Sequence, residues 1–298
     1  MKFSKFVFLT VAFFTALFSV DTQARVCGEL FEKTYKTSEF IISIGGKKQS
    51  EKYLAAAQNN LTTNFEILKI NQIVKQIKKS GLEKLTPNQQ KMIIKFRQNS
   101  SFLRSIFQTS EKTHQSPSEF ADFVRDFGVL KDLLILNNSD AAREKAKKIL
   151  KKYSELDFEA LLDDAEPASK KSVKKYFKEL LKDTKEIMAK SEITVDEVHD
   201  VRKNLRDVLR YMQIQNEVEF AKASGSKVLS LGQNAELQDT IQIEFLKKTN
   251  SKLGEVCDEY AAKILKGEIS DDTVVEFPER IRPRVEYFLE RYQIQVED

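Results

Sequence analysis

The chain has 298 residues, with 49 Lys and Arg against 45 Asp and Glu and a formal net charge of +4. This near balance predicts no partner by itself, so a function with polyanions must come from local clustering of basic residues. With 9 Gly, 5 Pro, no Trp and 32% charged residues, the composition favours helices joined by short turns and argues against a β-sandwich or barrel.

The first 24 residues have the pattern of a cleavable secretory signal peptide. Lys2 and Lys5 precede an uncharged apolar run at 6–20, and Asp21 follows the run. A membrane-spanning helix needs about 20 apolar residues, so this run is too short for a retained anchor. Small residues in the spacing that signal peptidase requires end at Ala24, which predicts cleavage there. We expect a periplasmic or secreted protein with no membrane span after cleavage.

The chain has two cysteines, Cys27 and Cys257. An even number of cysteines in an exported chain favours a disulfide, which would be structural and not catalytic. The alternative is two unpaired, buried thiols that act as small apolar side chains.

Prolines and capping residues divide the mature chain into helices. Thr86 precedes a proline at the first helical position, whereas Ser116 with Glu119 and Thr194 with Glu197 have the spacing of capping boxes. A strand is an open alternative for Glu39–Ile44, where a short apolar run does not distinguish strand from helix. The predicted helices span 28–37, 49–79, 87–108, 117–136, 140–152, 168–190, 195–223, 234–266 and 279–295.

A narrow basic stripe follows one side of the predicted helix 195–223. At 100° per residue, His199, Arg202, Arg206 and Arg210 fall within about 80° of one another. Guanidinium groups bind phosphate oxygens bidentately and remain charged, and an imidazole donates from both nitrogens when an anion raises its pKa. The spacing therefore suits a linear polyanion better than one small acid.

The alternative interpretation of the stripe is a solvated helix face. Asp200, Asp207 and Glu217 would then form surface ion pairs of little energetic consequence.

The string from His199 to Arg210, HDVRKNLRDVLR, resembles the signature helix of the CHAD (conserved histidine α-helical domain) family, which reads approximately HxxRVxxRRLR. The family's second motif resembles LGxLxDxxV, and similar segments end at or near Asp132 and Asp239, 107 residues apart. In the first half, aligning Leu103-Arg104 with Leu205-Arg206 places Arg97 opposite His199. The first-half histidine is therefore missing.

The resemblance implies an all-α bundle of two similar halves with long antiparallel helices, at about 25–165 and 166–298. It also implies that Asp132 and Asp239 are structural, orienting arginines or helix contacts, and that the chain binds inorganic polyphosphate or a similar polyanion. The residues that it implies for polyanion binding are His199, Arg202, Lys203, Arg206, Arg210, Arg97 and Arg104.

Lysines on helix 168–190 are a possible extension of this surface, and Lys171, Lys175 and Lys178 are the candidates. The alternative is that an exposed lysine row only keeps the helix soluble. His114 has no Cys, His or carboxylate at ligand spacing and is predicted to be a surface histidine.

Three classes of function remain from the sequence. The first is an exported polyanion-binding module, and the alternative is a periplasmic structural or protein-interaction scaffold that binds no polyphosphate. An enzyme is the weakest class because the sequence has no Gly-rich phosphate loop, no metal-ligand cluster and only two histidines. We expect no cofactor, no metal and no specific nucleic-acid partner.

Overall fold

The computed structural model describes residues 39–64, 67–153, 156–157, 160, 164–224 and 239–296. These residues are mostly helical, which confirms the predicted all-α fold. The helices are α1 (Lys47–Asn64), α2 (Ile67–Ser80), α3 (Pro87–Ser110), α4 (Ser118–Ile135), α5 (Ser139–Tyr153), α6 (Lys170–Met188), α7 (Val195–Ser224), α8 (Ile241–Leu265) and α9 (Arg282–Arg291). The strands are β1 (Phe40–Ile44), β2 (Ile193–Thr194), β3 (Val274–Val275) and β4 (Tyr292–Val296).

Some predictions concern residues outside this described part of the chain. They are the signal peptide at 1–24, the helix at 28–37 and Cys27, so the signal peptide and the disulfide stay predictions. No helix among the described residues combines the length and apolar character needed to cross a membrane.

Helices α3 and α7 form the centre of the fold. α3 packs against α1, α2 and α4, α7 packs against α6 and α8, and the two helices pack against each other. Ser100, Ser101 and Ser105 on α3 are buried, and their small side chains leave room for a neighbouring helix. The Ser105 hydroxyl donates to Asp207 Oδ1 on α7 at 2.7 Å. The two central helices are therefore joined by a buried hydrogen bond as well as by apolar packing.

A parallel two-stranded sheet joins the first described strand to the last. β1 pairs with β4 in the register Phe40↔Tyr292 to Ile44↔Val296. Phe40 is fully buried, and its ring lies 5.2 Å from that of Phe245 on α8 and 5.2 Å from that of Phe288 on α9. The sheet thus holds the C-terminal helices against the bundle.

The predicted helix 279–295 is wrong at both ends, because α9 covers only Arg282–Arg291 and its last predicted residues form β4. In β4, apolar side chains alternate with Gln293 and Gln295, the period of a strand and not of a helix. The open alternative at residues 40–44 is settled in favour of a strand.

Two further helix boundaries differ from the prediction. The predicted helix 49–79 is two helices, α1 and α2. The predicted helix 234–266 begins later, at α8, because the Thr240 hydroxyl caps it by accepting from the Ile243 amide at 3.3 Å.

The predicted helix caps have different outcomes. Thr86 forms a capping box with Gln89, and Thr194 forms one with Glu197, so these two caps are confirmed. Ser116 is not a cap: Pro117 occupies that position without a side-chain hydrogen bond, and α4 begins one residue later than predicted. A helix start at Ser118 leaves the Ser116 hydroxyl one residue too far from the first-turn amides.

Substitutions at Thr86, which caps α3, and at Ser116, which is not a cap, should therefore change the free energy of unfolding by different amounts. Thr86→Ala removes the acceptor of the Gln89 amide, so it should lower the free energy of unfolding by about 1 kcal/mol. Ser116→Ala is the matched control and should change it by less than about 0.5 kcal/mol. Urea denaturation followed by circular dichroism measures both. Equal losses for the two variants would contradict this assignment of the caps.

Candidate functional site

The candidate site is a cavity of about 820 Å³ lined by residues of α3, α4, α7 and α8, together with Asp239. α4 packs on α3, α8 packs on α7, and the central pair joins them. We call this space the basic cavity. Its lining includes eight Lys or Arg and five Asp or Glu residues. The predicted site residues in the lining are Arg97, His199, Arg202, Lys203, Arg206 and Arg210.

The basic stripe of α7 faces the basic cavity along its length. All four predicted members, from His199 to Arg210, line it, because the adjoining apolar face of α7 is buried in the bundle. The buried face includes Val198, Val201 and Leu205, each fully buried. The periodicity therefore places the imidazole and three guanidinium groups at the edge of the core, as the spacing predicts.

The remaining predicted residues lie in different places. Arg104 is near Arg206 but is absent from the cavity lining. Lys171, Lys175 and Lys178 are exposed on α6, and none of them lines the basic cavity. The structure does not bring these lysines together with the arginines.

Burial and mutual repulsion act on the arginines. Burial, followed by the charges of Arg206 and Arg202, lowers the pKa of Arg97 to about 10. Burial and then Arg206 lower the pKa of Arg210 to about 10 as well. Both groups remain protonated at neutral pH, so the basic cavity holds positive charge at a desolvation cost.

Carboxylates in the cavity wall neutralise lysines more than arginines. Lys131 lies 3.0 Å from Asp132 and 3.4 Å from Asp258, which links α4 to α8. Lys247 lies 2.8 Å from Asp239. Among the described residues, only Arg206 of the four cavity arginines lies within 4.0 Å of a carboxylate. The charge left for a ligand is therefore mainly guanidinium charge.

The guanidinium groups retain hydrogen-bonding capacity. Arg210 lies over the Phe102 ring at 4.9 Å and donates to Gln213 Oε1 at 2.8 Å. The buried Nε atoms of Arg202, Arg206 and Arg210 have no hydrogen-bond partner within the described part of the chain. Buried donors of this kind are costly unless a ligand or water satisfies them. Because these Nε atoms are themselves inaccessible to solvent, an oxyanion in the cavity would have to meet the guanidinium groups through their other nitrogens.

Asp207 lies beneath the basic cavity and ties three helices together. Its carboxylate is 4% exposed and accepts from Ser105 on α3 and from the Tyr176 hydroxyl of α6 at 3.1 Å. Arg206 Nε lies 3.5 Å away. Burial and then Asp207 raise the pKa of Tyr176 far above its usual range, so the phenol remains a donor. The alternative in which Asp207 and Glu217 form surface pairs is wrong, because both are buried.

His199 is the one residue of the stripe that is neutral at neutral pH. Burial, followed by the nearby charges of Lys203, Arg202 and Arg206, lowers the pKa of its imidazole to about 4. Asp200 opposes this shift but also pairs with Lys203 at 2.8 Å. The imidazole thus adds hydrogen-bonding capacity without adding to the repulsion among the arginines.

The expected surface position of His114 is wrong. This residue is half-buried with a positive φ of 58°, and its ring stacks on Tyr176 at 4.7 Å. Its Nδ1 lies 2.9 Å from the Gln108 carbonyl oxygen, and its Nε2 lies 2.7 Å from Ser172 Oγ. His114 therefore fixes the loop before α4 against α6, outside the cavity lining.

Two glycines form part of the cavity wall, and the sequence interpretation missed one of them. Gly128 on α4 lies against the Arg97 guanidinium, and Gly254 on α8 lies against that of Arg202. Arg97 and Arg202 thus share a contact with a glycine of a neighbouring helix, which the alignment of Arg97 with His199 does not predict. The signal was present in the sequence, because Gly128 and Gly254 each precede an aspartate by four residues.

The second motif is therefore better matched by Leu253-Gly254-Glu255-Val256-Cys257-Asp258 than by the segment that ends at Asp239. Asp258 and Asp132 both contact Lys131, whereas Asp239 precedes α8 and pairs with Lys247. Cys257 lies in the cavity wall, and burial raises the pKa of its thiol against the effect of Arg202. Its predicted partner Cys27 is outside the described residues.

Comparison of the chain with protein-family models, curated proteins and solved structures finds no match. The resemblance to the CHAD family thus rests on the motif residues alone. Within the described part of the chain, no cluster of three or more His, Cys, Asp or Glu residues is placed to hold a metal ion.

The buried Asp207 should contribute more to stability than its exposed neighbour on the same helix. Asp207→Asn removes the charge that faces Arg206 and disturbs two hydrogen bonds, so it should lower the free energy of unfolding by about 2–4 kcal/mol. Asp200→Asn is the control, because the exposed pair with Lys203 is worth less than about 1 kcal/mol. Chemical denaturation distinguishes them, and similar losses would contradict the anchoring role.

The pKa of His199 gives a pH prediction. The unfolded chain takes up a proton near pH 6.5, whereas the folded chain does so only near pH 4, so the unfolded state binds more protons between these values. The free energy of unfolding should fall as pH drops through this window, and His199→Gln should remove that part of the dependence.

Proton NMR measures this pKa directly. The His199 Cε1 proton should titrate with a midpoint near pH 4, and a His114→Gln variant identifies which of the two imidazole signals belongs to His199. A midpoint at or above 6.5 would show that the ring is not desolvated as described.

Proposed function

We propose that this protein is an exported helical module that binds inorganic polyphosphate or another phosphate-rich polymer in the basic cavity. The observation that carries the proposal is the convergence of Arg97 from α3 with Arg202, Arg206 and Arg210 from α7 on one concave surface. The residues come from two helices that pack against each other. A solvated helix face would not gather cations from a second helix into a cavity.

The chemistry of the site supports phosphate as the ligand group. Guanidinium groups pair with phosphate oxygens through two parallel hydrogen bonds, and these bonds are stronger where water is excluded. A bound oxyanion would bring negative charge to a site where burial, followed by repulsion from neighbouring arginines, lowers the pKa of Arg97 and Arg210.

Several phosphates are a better match than one. The cavity has a volume of about 820 Å³, and its arginines extend over two turns of α7, from Arg202 to Arg210. One phosphate group would contact a fraction of them. A chain of phosphates would neutralise the set.

The resemblance to the CHAD family supports the same proposal. The His199–Arg210 helix and the Gly254–Asp258 segment resemble the two family motifs, and residues of both line the basic cavity. Export through a signal peptide at 1–24 would place the site where inorganic polyphosphate is not the only available polyanion. The proposal therefore includes other phosphate-rich polymers.

Paired substitutions with polyphosphate of defined length test the proposal. Arg97→Gln/Arg202→Gln removes two cavity charges that lie beyond ion-pair distance of any described carboxylate, so the fold should tolerate the change. The dissociation constant should rise at least about tenfold. The slope of log affinity against log salt should also become shallower by roughly 1–2, because fewer counterions are released.

The matched control is Lys175→Gln/Lys178→Gln, which removes the same charge from the exposed face of α6. Its affinity should stay within about threefold of the wild type, since distant exposed charges are screened by salt. Equal losses for the two double variants would indicate non-specific charge attraction. Wild-type protein that binds no polyphosphate would overturn the proposal and favour the scaffold.

A further inference from the structure

Helix α8 has a glycine, Gly254, where it faces the Arg202 guanidinium of α7. A Cβ atom at Gly254 would lie 3.1 Å from Arg202 Nη2, 3.4 Å from Cζ and 3.5 Å from Nε. Three guanidinium atoms within such a narrow range place the guanidinium group against the backbone of α8. Gly254 itself is buried, so its surface is covered by this side chain.

The backbone of α8 does not require glycine at this position. Gly81 and Gly267 are the described glycines with positive φ, whereas Gly254 has an ordinary helical conformation. A glycine inside a helix costs about 1 kcal/mol relative to alanine. The residue therefore weakens α8 without any benefit to the backbone, and the contact with Arg202 offers the physical reason.

Neighbouring contacts prevent the helices from separating to accommodate a side chain. Asn250 lies one turn before Gly254 on α8, and its Nδ2 donates to the Arg202 carbonyl oxygen at 2.8 Å. Leu253, next to Gly254, is fully buried. A methyl group at 254 would therefore push the guanidinium away by a few tenths of an ångström, since the arginine side chain is the more flexible partner.

The same arrangement occurs at Gly128 with more space. A Cβ atom there would lie 3.5 Å from Arg97 Nε and 3.6 Å from Nη2, which is ordinary van der Waals distance. An alanine at 128 would fit without moving Arg97. The protein thus contains its own matched control for the tighter contact at Gly254.

We infer that Gly254 is a positioning residue of the anion site, because its missing side chain lets the Arg202 guanidinium lie against α8 and face the basic cavity. The ligand groups that it serves are phosphate oxyanions. This inference rests on the proposed function for its ligand. The effect of Gly254 on the position of the Arg202 side chain does not depend on the identity of the ligand.

Gly254→Ala should separate stability from binding. Alanine favours a helix, so the thermal midpoint should stay unchanged or rise, while the dissociation constant for polyphosphate should increase about tenfold. Gly128→Ala should also preserve or raise the midpoint, and it should cost less affinity than Gly254→Ala because Arg97 need not move. A role limited to helix packing would move stability and affinity together.

A double-mutant cycle keeps the inference testable if Gly254→Ala lowers stability. In an Arg202→Ala background the displaced group is absent, so adding Gly254→Ala should cost no further affinity. An additive loss in this background would overturn the inference.

The NMR resonance of the Arg202 Nε–Hε group, recorded without ligand, tests the positioning role independently of the proposed function. Gly254→Ala should shift that resonance even if the wild type binds no polyphosphate, in which case the proposed function alone fails. An unchanged resonance together with wild-type affinity would overturn the positioning role.

Discussion

Several guanidinium groups are buried together around one cavity, and both their burial and their mutual repulsion are costly. Burial, followed by the charge of Arg206, lowers the pKa of both Arg97 and Arg210 to about 10, so both side chains remain charged at neutral pH. Several arginines can lie this close together only where a buried carboxylate offsets part of their positive charge. Asp207 provides this negative charge, and hydrogen bonds from Ser105 and Tyr176 fix the position of its carboxylate. The small serines of α3 and the contact with α6 therefore serve the cavity as well as the core.

Local sequence patterns predicted much of the helical framework. The caps at Thr86 and Thr194 were readable because a capping box depends on residues three apart. The basic stripe of α7 was readable because periodicity alone places its members on one side. β4 was not predicted and β1 was only an open alternative, since the two strands acquire hydrogen-bond partners only through pairing across most of the chain. Ile41, an exposed apolar residue in β1, also conceals the alternation.

Not all residues of the cavity wall could be predicted from local sequence patterns, because some of them are brought together only by contacts between helices. Arg97 was found through a resemblance but in the wrong register, because the aligned Leu-Arg pairs occupy different positions relative to the cavity. The contact between Gly254 and Arg202 joins two helices and becomes evident only when they pack. The depressed pKa of His199 likewise depends on burial by neighbouring helices. Charge spacing predicts a class of ligand, whereas tertiary packing determines which cations face the cavity.

The most direct test of the central claim is a crystal structure of the protein with polyphosphate of defined length. We expect consecutive phosphate groups in the basic cavity, with oxygens within hydrogen-bond distance of Arg97, Arg202 and Arg206. The exposed lysines of α6 should carry no ordered phosphate. Phosphate density on α6 with only water in the cavity would contradict the account.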